Sequence, residues 1–187
     1  MSAEGLSPAW EPDAPHERPP VEAAVLIGVV ERGASRSVIY TERSAELRSH
    51  SGQISFPGGR IEPEDGGAAT AALREASEEV GLDPGEARVL GYLPPYLSGT
   101  NYLITPVVAA VRPTRPFVAN PAEVRSVFEV PLGWLADEQS YGLHRFQRGT
   151  VEHETWELLH GDLRIWGITA FLTRQFRDLA LVGEEPW

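Results

Sequence analysis

The stretch "REASEEVGL", residues 74–82, decides how this chain is read. It ends the longer segment "DGGAATAALREASEEVG" that opens at Asp65, in which Ala69, Ala72, Leu73, Ala76 and Val80 fall on one arc at about 100° per residue. The spacing predicts a helix with Asp65 as its N-cap and Gly81 as its C-terminal stop. On the same wheel Glu75, Glu78 and Glu79 form a continuous arc opposite the alanines, with Arg74 at its edge. All three carboxylates can therefore reach one point. Such crowding is unfavourable by itself, because like charges three or four residues apart cost about 0.2–0.5 kcal/mol per pair. The negative end of the helix dipole adds to that cost. An ordinary explanation is a solvated acidic face paired with arginines. The other is a divalent cation, since Mg²⁺ takes oxygen ligands and binds through few carboxylates plus substrate phosphates.

Working outward, "VEAAVLIGVV" and "RSVIYTE" are β-branched runs separated by "ERGAS", the pattern of a hairpin, and "QISF" is a further short strand ending at "PGG". Beyond the helix, "ARVLGYL", "YLITPVVAAVR" and "EVRSVFEVP" read as strands and "PLGWLAD" as a helical turn. "YGLHRF" and "HETWELL" form a second hairpin pattern, and "IWGITAFLTRQFRDLAL" carries helical spacing from about Trp166. Strands before, between and after two main helices predict an α/β fold, a mixed sheet with helices on its faces. Trp134, Trp156 and Trp166 are expected in the core. Residues 1–20, rich in Pro and charge, read as a flexible N-terminal arm, and residues 21–187 as a single domain.

Composition narrows the chemistry. With 42% hydrophobic and 23% charged residues the 187-residue chain sits in the globular range, folding alone or as a simple oligomer such as a homodimer. It has no cysteine, so a metal would need oxygen or imidazole ligands, and a cytoplasmic setting is expected. Sixteen basic residues against twenty-seven acidic ones give a net charge of -11, which argues against a nucleic-acid partner. The longest apolar stretch, residues 23–30, is too short to span a membrane, and none is expected as a partner.

Residues 58–82, "GGRIEPEDGGAATAALREASEEVGL", resemble the Nudix box, Gx5Ex7REUxEExGU with U aliphatic. Gly59 matches its first glycine, and Arg74, Glu75, Glu78, Glu79, Gly81 and Leu82 its second half. Asp65 stands at the mid-box glutamate, one extra residue separates it from Arg74, and Ala76 is a small U. Upstream, "YTERSAELRSHSGQISFPGGR", residues 40–60, is similar to the LLTxRSxxxRxxxGxxxFPGG signature of the coenzyme A pyrophosphatase branch, matching at Arg43, Ser44, Arg48, Gly52, Phe56, Pro57, Gly58 and Gly59.

The resemblance implies a Nudix-type α/β/α sandwich and hydrolysis of a nucleoside diphosphate derivative, with coenzyme A or its derivatives as the branch's substrate. Carried over, Glu75, Glu78 and Glu79, helped by the Gly59 carbonyl, would hold Mg²⁺ or Mn²⁺. Arg74 would orient the glutamates, and Glu75 is the first choice of general base, with Glu123 and Glu154 as candidates outside the box. A coenzyme A substrate needs local positive charge, for which Arg43, Arg48, His50 and Arg60 are the candidates, with Gly58 offering close backbone approach. Tyr92, Tyr96 and Tyr102 could flank the adenine or pantetheine, or simply pack. Other Nudix substrates (ADP-ribose, NADH, a dinucleotide polyphosphate) and a non-catalytic nucleotide sensor are the competing readings.

Overall fold

The computed structural model describes residues 18–44, 52–148 and 151–182. The first hairpin forms as the β-branched pattern requires. Strand β1 (Val21–Arg32) turns at Gly33, whose φ of 62° suits a residue without Cβ, into β2 (Ser35–Arg43). The two pair antiparallel only at the turn end, from Val29↔Val38 to Arg32↔Ser35. Below that they part, and β3 (Ile54–Ser55) and β4 (Gly58–Arg60) fill the gap. β3 pairs with β2 through Thr41↔Ser55, and β4 pairs with β1 through Ala24↔Gly59. The Leu26 amide donates to the Pro57 carbonyl at 2.8 Å and closes the wedge.

A short 3-10 turn over Pro63–Asp65 leads into helix α1 (Ala68–Val80). Sheet and connections continue with β5 (Ala87–Tyr92), β6 (Tyr96–Leu97), β7 (Tyr102–Val111), β8 (Val124–Pro131) and the short α2 (Leu132–Ala136). β7 runs parallel to β1 over ten residue pairs while its other neighbours are antiparallel, so the large sheet is mixed. A second, three-stranded sheet of β9 (Gly142–Arg148), β10 (Val151–His160) and β11 (Leu163–Trp166) precedes α3 (Gly167–Phe176), which runs on into a π turn over Arg177–Leu181.

Two apolar layers follow from the alternation along β1. Ala24, Leu26 and Val30 face α1, where Ala71, Ala72, Ala76 and Val80 are fully buried. Ile27 and Val29 face the other way, onto Leu158, Ile165, Leu172 and Phe176 of the second sheet and α3. The result is the mixed sheet with helices on its faces that the pattern of elements predicts, arranged as the α/β/α sandwich that the resemblance implies. No helix among the described residues is long and apolar enough to cross a membrane.

Two sequence expectations need correction, and one boundary is sharpened. Asp65 does not cap the long helix: it ends the 3-10 turn, the N-cap is Gly67, and α1 begins at Ala68, because the carboxylate of Asp65 is engaged by Arg74 and the Glu62 amide instead. The last helix starts about where its spacing predicts: Trp166 closes β11, paired with Glu157, and is the N-cap of α3. The helical periodicity of that segment begins one residue later, where Gly167 at φ 63° makes the bend. Of the tryptophans, Trp134 and Trp156 are half-buried against the larger core, whereas Trp166 lies on the second sheet near His144 and Phe146.

Layer contact across β2 includes a buried polar link. Tyr40 is fully buried, and its hydroxyl lies 3.0 Å from Oγ1 of Thr173 in α3. Thr173 donates to the Thr169 carbonyl at 2.8 Å, so Tyr40 must be the donor to Thr173. Tyr40→Phe removes a donor and leaves Thr173 satisfied, and should cost about 1 kcal/mol in urea unfolding. Thr173→Val strands a buried phenol and should cost more, about 2 kcal/mol. Equal costs would contradict the assigned direction of the bond.

Candidate active site

The wedge of β3 and β4 presents Phe56-Pro57-Gly58-Gly59 to the C-terminal half of α1. Glycine is required twice there. A Cβ on Gly59 would sit 2.3 Å from Oε1 of Glu75, and one on Gly58 would sit 2.4 Å from the Ala24 carbonyl. The bare backbone lets two glutamates close on it. Glu75 lies half-buried over the Gly59 Cα, and Glu79, only 3% exposed, accepts the Gly58 N–H at 3.2 Å. Glu78 points outward and is exposed. The helical wheel therefore misplaces Glu79, which belongs to the edge of the buried arc rather than to the solvent side.

Arg74 ties the acidic helix to the loop before it. Its fork donates to both carboxylate oxygens of Asp65, Nε to Oδ1 at 2.8 Å and Nη2 to Oδ2 at 3.0 Å, while Nη2 also reaches the Arg60 carbonyl at 3.1 Å. Nη1 donates to Glu75 at 3.0 Å and Glu78 at 3.2 Å. Asp65 accepts the Glu62 N–H as well, at 2.8 Å. The Arg74 hydrogen bonds, then the Glu62 amide, hold the Asp65 carboxyl below the usual range. Thus Asp65 closes the loop around the inserted residue without disturbing the register of the glutamates.

Charge compensation stops short of Glu79. Among the described residues no guanidinium comes within ion-pair distance of it. Burial pushes its carboxyl up to about 7, against the opposing pull of the Gly58 amide and the Arg43 charge and with further repulsion from Glu75 and Glu123. Glu75 is raised as well, first by burial and then by Glu78 and Glu123, with Arg74 pulling the other way. Two carboxylates are thus held beside exposed backbone with one arginine between them, an arrangement that a cation would relieve. Among the described residues no three acidic or histidine side chains are gathered into a ready-made cage. The donor set fits a hard cation that completes its shell with waters and substrate oxygens.

The proposed phosphate-binding residues divide. Arg43, at the end of β2, lies close enough to Glu79 for its charge to act there. Arg60 does not face the glutamates: Gly59 points at Glu75, so by alternation along β4 Arg60 emerges on the opposite face, where it donates to the Tyr102 hydroxyl at 2.9 Å. A depression of about 590 Å³ opens beside Arg60 and Leu103, and none of the three box glutamates lines it. Arg48 and His50 lie outside the described residues. Tyr96 is buried against Phe171 and Tyr92 is exposed. Glu154 pairs with Arg145 at 2.6 Å on the second sheet.

Comparison with known proteins now decides the family. The chain matches the NUDIX domain over residues 20–153. It belongs to the Nudix family. It is 41% identical over 167 residues to the uncharacterized Nudix hydrolase NudL of Escherichia coli K12, spanning 88% of this chain and 84% of that protein. The Nudix hydrolase RenU of M. smegmatis shares the fold with a TM-score of 0.52 at 23% identity, over 64% of this chain and 76% of the other. A Nudix hydrolase from Alicyclobacillus acidocaldarius does so with a TM-score of 0.50 at 17% identity, over 67% and 85%.

Two outcomes follow. Gly59→Ala should expel the Glu75 carboxylate, whose flexible end can swing away, leaving the fold intact by circular dichroism and lowering turnover at least about 100-fold. The second concerns pH. The folded state binds a proton at Glu79 more tightly than the unfolded chain, so its contribution to metal-free stability falls as pH rises from 4.5 towards about 7 and stays low above that. Glu79→Gln should therefore be more stable than the parent at pH 8 without metal, by about 1–3 kcal/mol in urea. A variant less stable than the parent at that pH would contradict the burial argument.

Proposed function

We propose that this Nudix hydrolase cleaves the pyrophosphate bond of coenzyme A or its derivatives, releasing 3′,5′-ADP and 4′-phosphopantetheine. The observation that carries the reading is the placement of Arg43. The upstream signature, residues 40–60, meets the box, residues 58–82, only at residues 58–60, yet the charge of Arg43 near the start of the first acts on Glu79 near the end of the second. A guanidinium beside the acidic helix suits a substrate with two bridged phosphates.

In this reading Glu75, Glu78 and Glu79, with the Gly59 carbonyl, would hold Mg²⁺ or Mn²⁺. Such a cation, when bound, neutralises charge on the pyrophosphate and acidifies a water. The chain's own contribution is positional. Arg74 fixes Glu75 and Glu78, Asp65 fixes Arg74, and the Gly58 amide fixes Glu79. Glu75 accepts the proton of the attacking water, and Arg43, with Arg48 and His50, holds the phosphates. Gly58 gives the substrate close access to backbone. Arg60, on the far face, is the least supported of the substrate contacts. Residues 21–187 act as one catalytic unit in this account.

The test is product identification after incubating the protein and Mg²⁺ or Mn²⁺ with coenzyme A, acyl-coenzyme A, NADH, ADP-ribose and diadenosine polyphosphates. Coenzyme A should be split to the two named products, and Glu79→Gln should lose most of that activity with its fold intact. Intact coenzyme A alongside cleaved ADP-ribose or dinucleotide would overturn the substrate. Binding with no product from any member would favour a sensor.

A further inference from the structure

The glycine wedge beside the glutamates is gripped from behind by α3. Strand β3 ends the order of strands in the large sheet and is very short, so its own ladder bonds fix its position only loosely. Carbonyls alternate sides along a strand. Gln53 turns its own inwards, where it accepts the Arg43 N–H at 3.0 Å, so that of Ile54 points off the sheet edge. There the hydroxyl of Thr169, in the first turn of α3, donates to it at 2.9 Å. The Thr169 carbonyl accepts the Thr173 hydroxyl at 2.8 Å, and Thr173 in turn receives the phenol of Tyr40. Tyr40 stacks on Phe56 with ring centroids 4.7 Å apart, and both side chains are buried.

Helix α3 thus holds residues 54–56 twice, directly at the Ile54 carbonyl and through Tyr40 at the Phe56 ring. The next two residues reach the glutamates: the Pro57 carbonyl accepts the Leu26 N–H, and Gly58 gives its own N–H to Glu79. We propose that Thr169 is a positioning residue of the active site, whose hydroxyl sets how far β3 advances and so where the Gly58 amide meets the Glu79 carboxylate. The wedge has no slack to absorb a slip, since a Cβ at Gly58 or Gly59 would already collide with the Ala24 carbonyl or with Glu75. The proposal rests on the box-glutamate reading given above and is independent of coenzyme A as the substrate. A hydroxyl that only satisfied a buried carbonyl would stabilise the fold as a whole, whereas a positioning hydroxyl acts on one amide.

Thr169→Val keeps the shape of the side chain and the backbone carbonyl that Thr173 uses, and deletes the bond to Ile54. The experiment follows amide hydrogen exchange of the full-length, metal-free protein by NMR, beside turnover with Mg²⁺ of whichever member of the nucleotide panel the parent cleaves. Thr169→Val should speed exchange at Gly58 about tenfold or more, while the amides of β7 keep the parent's protection within about twofold. Its kcat should fall about tenfold or more. Thr169→Ser, which restores the hydroxyl, should return both towards the parent. Equal loss of protection at Gly58 and across β7 would make the bond purely structural and overturn the proposal. So would a Gly58 amide unchanged in Thr169→Val, one loosened with kcat intact, or a Thr169→Ser no better than Thr169→Val. A parent that cleaves no member of the panel, while Gly58 responds as expected, would overturn the box-glutamate reading and leave the coupling of Thr169 to Gly58 standing.

Discussion

Burial of the Glu79 carboxylate against the Gly58 amide is the contact on which the arrangement of this molecule turns. A carboxylate that is nearly inaccessible and has no guanidinium within ion-pair distance among the described residues is a standing destabilisation, which the more distant Arg43 charge only offsets in part. Its persistence needs a frame that holds both partners independently. One partner belongs to α1, whose apolar arc is locked onto β1 and β7 by fully buried alanines. The other belongs to β4, hydrogen-bonded into the gap where β1 and β2 diverge. Neither can retreat without unpicking a sheet or a core.

The same frame explains why small residues cluster where they do. Gly58 and Gly59 admit carboxylates at distances that a Cβ would forbid, and the alanines of α1 let the helix approach the sheet closely enough to bring those carboxylates there. Arg74 and Asp65 then set the charge balance. A bidentate pair is rigid in both distance and angle, so the loop of residues 61–67 is tied to the helix at one point and tolerates one extra residue elsewhere. Uneven compensation is the outcome: Glu75 and Glu78 share an arginine, and Glu79 has none. A site that stabilised all of its carboxylates internally would have less to gain from an external cation.

Family membership and fold agree with this picture, and each constrains a different level. The match over residues 20–153 fixes the class of chemistry, while the solved relatives, at low identity, speak to architecture. Substrate choice depends on side chains around the box, and the structure divides these by face. Arg43 is placed with the glutamates, and Arg60 is turned away by the alternation of β4.

Local periodicity was enough to locate the main strands, α1 and its stop at Gly81, because those patterns depend only on neighbours a few residues apart. The "REASEEVGL" stretch likewise identified the acidic cluster and the box around it. Sequence could not find β4 or β11, whose few residues become strands only when a partner is beside them, nor see that Asp65 would turn to Arg74 instead of capping the helix. It placed Glu79 on the solvent side, since a helical wheel has no sheet edge in it. It could name Glu123 but not place its loop, because the backbone of residues 118–123 is fastened to Val80, Glu79 and Ser44, all distant along the chain. What a segment can be is written in its own spacing, and which carboxylates meet is decided by the packing of distant strands, where each contact depends on backbone that the segment does not contain.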